Sequence, residues 1–461
     1  MLRSNSAQKI IDQGMALGAD FVDVFVEEHQ TSTIQLLSSD INEINAGVDF
    51  GIGVRLIYDG DVVYGYTNST RIEDLLDLTN KLGALNRRDP LASSTALVHK
   101  TLTDLHKTVR GLDRDIPLSD KVAYLKKIDG WIREESEKIT QVNLRAIQRR
   151  QHVHIYNSEG LDVIDTRHYM RFGLMALSQD GNEQHSAFEG PGALKGWEFS
   201  EDLDMKSISK EVARIALMKL TAEPCPGGKM PVIIDNGFGG VIFHEACGHL
   251  LETTSVAKKA SVFHDKMGQM IANPVVNAVD DGTIKSKWGS INIDDEGMET
   301  QKTQLIQDGK LVGFLSDRVG AEKCDIPRSG SARKQNYKYA PASRMRNTFI
   351  EAGKDKFEDM IGSIEKGIYC KKMGGGSVMP GTGEFNFSAD ESYLIENGRI
   401  TKPLKSATLI GKGEDILTKI SMVSDNLELA AGMCGSVSGA IPTTVGQPAI
   451  KVDEILVGGQ Q

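Results

Sequence analysis

The stretch Thr221-Ala-Glu-Pro-Cys-Pro-Gly-Gly-Lys-Met-Pro231 separates two regions of different composition. It holds three prolines and two glycines, which end regular structure because proline lacks an amide hydrogen and glycine is conformationally free. Residues 1–221 contain 16 glycines, whereas residues 222–461 contain 31. The sequence therefore predicts an N-terminal domain over 1–221 and a C-terminal domain over 222–461.

The N-terminal region predicts an α+β domain in which one order of elements occurs twice. The dipeptides Phe50-Gly51 and Asp59-Gly60 are matched by Phe172-Gly173 and Asp180-Gly181 at nearly the same offset. We interpret this as a duplicated helix–sheet–helix unit, with a chance match as the alternative. The predicted elements are a helix over 4–16, strands over 20–66, a helix from 70, a helix from 119, strands over 138–190 and a helix over 205–220.

The C-terminal region predicts short strands joined by glycine-containing turns. Thr303–Gln307, the turn Asp308-Gly309 and Leu311–Leu315 are one example. Many short strands with frequent glycine are typical of a barrel or sandwich. The predicted fold class is therefore α+β, with a β-rich, glycine-rich C-terminal domain.

Composition and charge exclude several classes of protein. The chain has 461 residues, a formal net charge of −10 and a pI of about 5.6, so no basic field is available to hold nucleic acid. No apolar run is long enough to cross a membrane, and the first residues lack the apolar core of a signal peptide. Five scattered cysteines are typical of a reducing cytoplasm. We expect a cytoplasmic protein without membrane or nucleic-acid partners.

The segment FGGVIFHEACGHLLE (238–252) carries the strongest chemical signal. His244 and His249 offer imidazole nitrogens to a cation such as Zn²⁺, and Glu245 is placed to take a proton from a water on that cation. Zinc peptidases commonly space their two histidines four residues apart, but here the spacing is five. On a regular helix these rings diverge by about 140°. We therefore predict a deformed turn, either a π-bulge or a helix end, between the two histidines.

A catalytic zinc needs a third protein ligand. Cys434 stands between glycines in Gly432-Met433-Cys434-Gly435, where the backbone can approach closely. Its spacing alone leaves open that Cys434 is a small buried apolar side chain. Several aspartates are open as the third ligand as well, and so are Cys247, Glu252 and His264.

Two further segments offer candidate substrate contacts. The basic stretch from Arg333 to Arg346 could stabilise an oxyanion or bind a substrate carboxylate, with Arg333 and Arg344 as the candidates and surface salt bridges as the alternative. Glycines 374–376, 381 and 383 could let an extended peptide lie along a strand edge, with Gly375 and Gly376 as its contacts, or they could form hairpin turns. Asp294, Asp295 and Glu296 are interpreted as a solvated turn.

Several further motifs accompany the histidine segment. The set is HEACGHLLE (244–252), GMCG (432–435), SGSARK (329–334), PASRMRNT (341–348), GGGSVMPGTGEFNF (374–387) and IENG (395–398). Together these motifs resemble the TldD/PmbA family, and specifically its metal-bearing TldD branch. The PmbA branch lacks the histidine–glutamate motif, which is present here. The resemblance covers the whole chain and is strongest after about residue 230.

The resemblance implies an intracellular zinc metallopeptidase that acts on unfolded or leader-type peptides. It implies one zinc per chain, held by His244, His249 and Cys434 in the C-terminal domain, with Glu245 as the general base. It also implies paired subunits, as a homodimer or as a heterodimer with a PmbA-type paralogue. Two alternatives remain: a non-catalytic, chaperone-like peptide-binding subunit of the same fold, and a thiol hydrolase that uses Cys247 or Cys434 with a histidine.

Overall fold

The N-terminal region is built on one long, mainly antiparallel sheet. The computed structural model describes residues 2–86, 88–90, 93–109, 116–379 and 383–459. The strands of this sheet are β1 (Phe21–Leu37), β2 (Asp40–Tyr58), β3 (Asp61–Thr67), β4 (Val98–Lys100), β5 (Ile139–Asn157), β6 (Leu161–Asp180), β7 (Glu183–Glu189) and β8 (Gly192–Ala193). They run in the order β3-β2-β1-β5-β6, and β4, β7 and β8 all pair with the far edge of β6. The helices of the region are α1 (Ser4–Ala16), α2 (Ile72–Gly83), α3 (Leu118–Arg133), α4 (Phe199–Asp202) and α5 (Met205–Lys219).

The element order is consistent with the interpretation of a duplicated unit. A helix, two long strands, a short strand and a helix occur as α1-β1-β2-β3-α2 and again as α3-β5-β6-β7 followed by α5. The first strands of the two units, β1 and β5, pair antiparallel at the centre of the sheet. Each helix pair covers its own apolar cluster on the sheet. The turns at Asp59-Gly60 and Asp180-Gly181 occupy equivalent positions, at the ends of β2 and β6.

The C-terminal region contains two larger sheets and a small hairpin. Its strands are β9 (Gly228–Ile234), β10 (Ala278–Asp281), β11 (Lys302–Gln307), β12 (Lys310–Leu311), β13 (Ala332–Arg333), β14 (Ala342–Ser343), β15 (Asn347–Ile350), β16 (Lys366–Val378), β17 (Glu384–Glu396), β18 (Arg399–Leu404), β19 (Ala407–Lys412), β20 (Ile420–Val423), β21 (Glu428–Ser436), β22 (Gly439–Gln447) and β23 (Ile450–Gly458). One sheet has the order β12-β11-β10-β15-β22-β21, and the other has the order β16-β9-β23-β19-β17-β18 with β20 beside β23. The fold is therefore α+β with a strand-rich C-terminal region, as predicted.

Short helices connect these strands, and one of them lies inside the core between the sheets. They are α6 (Val241–Ala246), α7 (Thr253–Val256), α8 (Arg318–Cys324), α9 (Phe357–Gly362) and α10 (Gly413–Lys419), with 3-10 turns at Gly237–Gly240 and Gly248–Leu251. Val241, Ile242 and Phe243 of α6 belong to the main apolar cluster of the region. The predicted division at 221/222 falls between α5 and β9. Among the described residues, no helix is both long and apolar enough to cross a bilayer.

The prediction that Asp294, Asp295 and Glu296 form a solvated turn is wrong. All three side chains are buried where the C-terminal region meets the N-terminal sheet. Arg167 of β6 donates to Asp295 at 2.7 Å, and Arg55 of β2 forms an ion pair with Glu296 at 2.8 Å. A run of acidic residues is stable in an interior when buried cations face it. These cations lie more than a hundred positions away in the sequence, so the local pattern does not reveal them.

Candidate metal centre

The helix that carries the motif ends between the two histidines. α6 stops at Ala246, Cys247 leaves the helical region with φ −127° and ψ −47°, and a 3-10 turn begins at Gly248. The prediction of a deformed turn is confirmed, and the deformation is a helix end rather than a π-bulge. This break turns His249 back towards His244, so that the two imidazole rings meet edge to face at 5.2 Å.

Cys434 comes to the same point from the other side of the core. It lies on β21, the outermost strand of its sheet, and pairs with Ile441 of β22. Its sulfur is 3.3 Å from Nε2 of His249. One ligand atom from each of His244, His249 and Cys434 lies within 4.8 Å of the other two, and His244 and Cys434 are buried. The structure thus brings together the three residues that the sequence analysis names as ligands.

The other candidates for the third ligand either lie away from the two histidines or play a different role. Cys247 is buried with its sulfur towards the carbonyl of Gly413, and burial raises the pKa of its thiol far above the usual range. Nδ1 of His264 lies 2.9 Å from the carbonyl oxygen of Ser261. Glu252 contacts the site indirectly, because its carboxylate oxygen lies 3.0 Å from Nδ1 of His249.

Electrostatics favour an anionic sulfur in this group. Burial raises the pKa of the Cys434 thiol, but the imidazoles of His244 and His249 outweigh burial and hold that pKa well below its usual range. Burial likewise lowers the pKa of His249, but the nearby Glu252 and Cys434 outweigh it and raise the pKa well above the usual value. The thiolate is the form of cysteine that binds a metal.

Glu245 lies beside the imidazole of His249 and is partly exposed. Its carboxylate oxygen is 3.6 Å from Nε2 of His249, and about a quarter of its side chain is exposed. Glu245 and His244 are neighbours on the last turn of α6, so their side chains leave the helix about 100° apart. A carboxylate beside the donors, and reached by water, can accept a proton from a water molecule there.

Arg344 and Arg333 are buried, and they donate hydrogen bonds mainly to backbone carbonyls. Arg344 donates to the carbonyl of Cys434 at 2.6 Å and to Ser438 Oγ at 2.8 Å, so it fixes the hairpin that carries the sulfur. Arg333 donates to the carbonyls of Met345 and Pro442 at 2.9 and 2.7 Å. This geometry favours positioning of the backbone over the substrate contact predicted from sequence.

The two glycines predicted as substrate contacts lie on β16. Gly375 is exposed, and a Cβ there would have no atom within 4 Å. Gly376 faces Phe387 of β17, where a Cβ would lie 2.2 Å from the ring. Gly381 falls outside the described residues. Substrate binding by Gly375 and Gly376 stays a prediction.

Known proteins share this sequence and this fold. The PmbA/TldA metallopeptidase models match as domain 1 over 22–85, as the central domain over 111–220 and as the C-terminal domain over 227–459. A metalloprotease TldD homolog of Haemophilus influenzae is 34% identical over 95% of this chain and 93% of its own. A metalloprotease of Methanocaldococcus jannaschii is 32% identical over 98% and 99%.

A more distant relative is named as a zinc enzyme, and a solved structure has the same fold. A zinc metalloprotease TldD homolog of Saccharolobus solfataricus is 25% identical over 98% of this chain and 99% of its own. The crystal structure of TldE from Thermococcus kodakarensis superposes with a TM-score of 0.77 at 19% identity, covering 98% of this chain and all of that one. On the family models and the relatives above 30% identity, this chain belongs to the TldD/PmbA family of metallopeptidases.

Proposed function

We propose that this chain is a zinc-dependent peptidase with one Zn²⁺ held by His244, His249 and Cys434. The observation that carries the proposal is the convergence of two imidazoles and a thiol from distant parts of the chain, with Glu245 beside them. Two nitrogens and a sulfur form a ligand set that zinc accepts, and they leave a fourth position for a reacting molecule.

The three side chains fit such an ion. With zinc–nitrogen bonds of about 2.0–2.1 Å and a zinc–sulfur bond of about 2.3 Å, the ligand atoms of a tetrahedral site lie about 3.3–3.8 Å apart. The 3.3 Å between Cys434 and His249 agrees with this spacing. Nδ1 of His244 is buried without a hydrogen-bond partner, and a buried nitrogen left unpaired is costly unless something binds there.

The chain's own residues account for the proton transfers of peptide hydrolysis. Bound zinc would supply Lewis acidity, which lowers the pKa of water and polarises a carbonyl. Glu245 accepts the proton of the attacking water and then donates it to the nitrogen of the leaving amine. Glu252 holds the ring of His249 from the opposite side through Nδ1. The same carboxylate thus acts first as base and then as acid.

We propose unfolded or leader-type peptides as substrates, and a homodimer or a heterodimer with a PmbA-type paralogue as the working assembly. The support for both is the family to which the chain belongs, together with relatives named as metalloproteases. Light scattering of the chain alone and with a PmbA-type protein measures the assembly.

The decisive experiment measures metal content and peptide cleavage on the same samples. We expect about one zinc per wild-type chain by mass spectrometry. We expect strong loss of zinc in Cys434→Ala and His249→Ala, and retention in the control His264→Ala, whose ring contacts the carbonyl of Ser261. Glu245→Gln should keep zinc but lower kcat/KM on an unstructured leader-type peptide by about 10²–10⁴, the usual contribution of a general base.

Each alternative predicts a different outcome. A chain that binds no zinc after reconstitution but binds peptides would be a non-catalytic peptide-binding subunit. Cleavage that survives chelation and stops on alkylation of Cys434 would indicate a thiol hydrolase. Full activity of zinc-loaded Glu245→Gln would remove the glutamate from the mechanism.

A further inference from the structure

A large cavity lies where the edge of the N-terminal sheet faces the C-terminal sheets. Its volume is about 1040 Å³, at the upper end of the range for ligand pockets. β6–β8 with α4 and α5 form one wall, and β16 and β21 form another. We call it the Phe188 cavity, after a ring that lines it and is 48% exposed. Its larger apolar side chains include Phe188, Phe199, Ile208, Phe238, Met373 and Leu429.

The charges that line this cavity do not balance. Each of the four lining acidic side chains, which are Glu189, Asp202, Glu211 and Asp390, already has a lysine or arginine as partner.

Three lining cations remain without an acidic partner among the described residues: Arg171, Lys285 and Lys287. Lys285 and Lys287 are exposed, and Arg171 is half-buried with its guanidinium 5.6 Å from the centre of the Trp288 ring. Three uncompensated positive charges beside an apolar lining favour a ligand that has both an apolar group and a carboxylate.

Two segments of the chain link the cavity to the candidate metal centre over a short distance. Leu429, Ala430 and Ala431 of β21 line it, and Cys434 follows three residues later on the same strand. Three residues of extended chain span about 10 Å. Phe238 lines the cavity as well and stands six residues before His244. A peptide whose carbonyl lies at the metal centre could therefore place a side chain about three residues away into the cavity.

An irregular part of β16 offers backbone groups at the same place. Gly374 and Gly375 line the cavity, and the pairing of β16 with β17 is interrupted between Met373 and Gly376. Backbone groups at such an interruption lie outside the regular ladder and can pair with an extended peptide, although the carbonyl oxygen of Gly375 already accepts from Ser388 Oγ at 3.0 Å.

We propose that the Phe188 cavity is a specificity site for the peptide substrate. It binds an apolar side chain that is next to an acidic one, about three residues from the bond that is cleaved. The apolar side chain packs against Phe188 and Leu429, and the carboxylate pairs with Lys285, Lys287 and Arg171. This inference rests on the proposed peptidase function and adds a sequence preference to it.

Two matched series of fluorescein-labelled peptides test the site. In one, a Phe-Glu pair is moved through a Gly/Ser/Ala sequence, and in the other Phe-Lys replaces it. The zinc-loaded chain should cleave the Phe-Glu peptides at a fixed distance of about three residues from the pair. Their kcat/KM should exceed that of the Phe-Lys peptides about tenfold. Anisotropy should show the same order of affinity with the wild-type chain.

Charge reversal identifies the cavity as the source of the preference. Lys285→Glu/Lys287→Glu should abolish or reverse the preference for Phe-Glu. The control Lys310→Glu/Lys354→Glu makes the same charge change on exposed lysines that do not line the cavity, and should keep the preference. Equal binding of both series, or a preference that survives reversal at 285 and 287, would overturn the proposal.

The test separates this inference from the proposed function. If no peptide is cleaved but Phe-Glu peptides bind more tightly and lose that advantage in Lys285→Glu/Lys287→Glu, the cavity is a binding site and the peptidase function fails. If peptides are cleaved without regard to the pair, the peptidase function stands and the specificity site fails.

Discussion

Glu252 determines how His249 faces the other two donor atoms. Its carboxylate oxygen lies 3.0 Å from Nδ1, which leaves Nε2 directed at the sulfur of Cys434. The Glu252 side chain is almost fully buried, so little competes with this contact. A carboxylate that orients a ligand histidine through its second nitrogen raises the affinity of a metal site.

Replacing Glu252 should therefore weaken metal binding without removing a ligand. We expect Glu252→Ala to lower zinc affinity about 10–100-fold, the usual effect of losing such a partner. Glu252→Gln should lose less zinc affinity, because its amide oxygen can still accept a hydrogen bond from Nδ1 of His249. Competition with a chromophoric chelator measures both, with Glu245→Gln as the control that keeps its affinity. Unchanged affinity in Glu252→Ala would mean that packing alone orients the ring.

The residues that converge at the candidate metal centre were easier to name from the sequence than the residues around it. His244, Glu245 and His249 stand in one short motif, whereas Cys434 needed the family resemblance, because 185 positions separate it from His249. The sequence also carries a signal for the buried pair of Asp23 and Arg55. Each is the single charge within an apolar stretch, FVDVFV (21–26) or GIGVRLIY (51–58), and they are direct partners in the register of β1 and β2. Such isolated charges indicate a buried ion pair.

At the scale of elements, the end of α6 is held by the start of α10. A Cβ on Gly413 would lie 1.9 Å from the carbonyl oxygen of Ala246, so only glycine allows α10 to approach this closely. Ala246 is the last residue of the helix that carries His244 and Glu245. The position of both side chains therefore depends on a contact that lies outside the motif.

Gly413→Ala should displace the end of α6 and weaken the metal centre. We expect zinc affinity to fall at least about tenfold, since ligand geometry tolerates shifts of only about 0.5 Å. Gly435→Ala is the matched control, because a Cβ there meets no atom within 4 Å although it adjoins Cys434. Chelator competition on both variants gives the comparison. Equal affinities would show that the core absorbs the added methyl group elsewhere.

Helices, strands and turns were predictable where the local sequence pattern was regular. The helix over 4–16 and the paired turns at Asp59-Gly60 and Asp180-Gly181 follow from local pattern, and the structure has them. The local sequence pattern did not show in which way the turn after Ala246 deforms. Whether such a turn becomes a π-bulge or a helix end depends on contacts such as that of Gly413, which come from residues distant in sequence.

At the scale of the whole molecule, buried charges join the two regions. Arg55 of the N-terminal sheet forms ion pairs with Asp23 in its own region and with Glu296 in the C-terminal region. All three side chains are almost fully inaccessible to water. A charge buried this deeply is stable only with a partner, and the closest cation to Glu296 is Arg55 of the other region, at 2.8 Å, whereas Arg328 of its own region lies at 3.7 Å. This dependence of Glu296 on Arg55 favours cooperative unfolding of the two regions.

Arg55→Ala should therefore destabilise the whole chain, because it leaves Asp23 buried without its cation and leaves Glu296 with only the more distant Arg328, at 3.7 Å. We expect the free energy of unfolding to fall by about 3–5 kcal/mol, the usual effect of removing one partner of a buried pair. Lys138→Ala is the control: Lys138 pairs with Asp180 at 2.6 Å, but both are about half exposed, and the change should stay within about 1 kcal/mol. Urea unfolding followed by circular dichroism measures both. If Arg55→Ala unfolds at the wild-type urea concentration, water must reach the two carboxylates, and the charges do not join the regions.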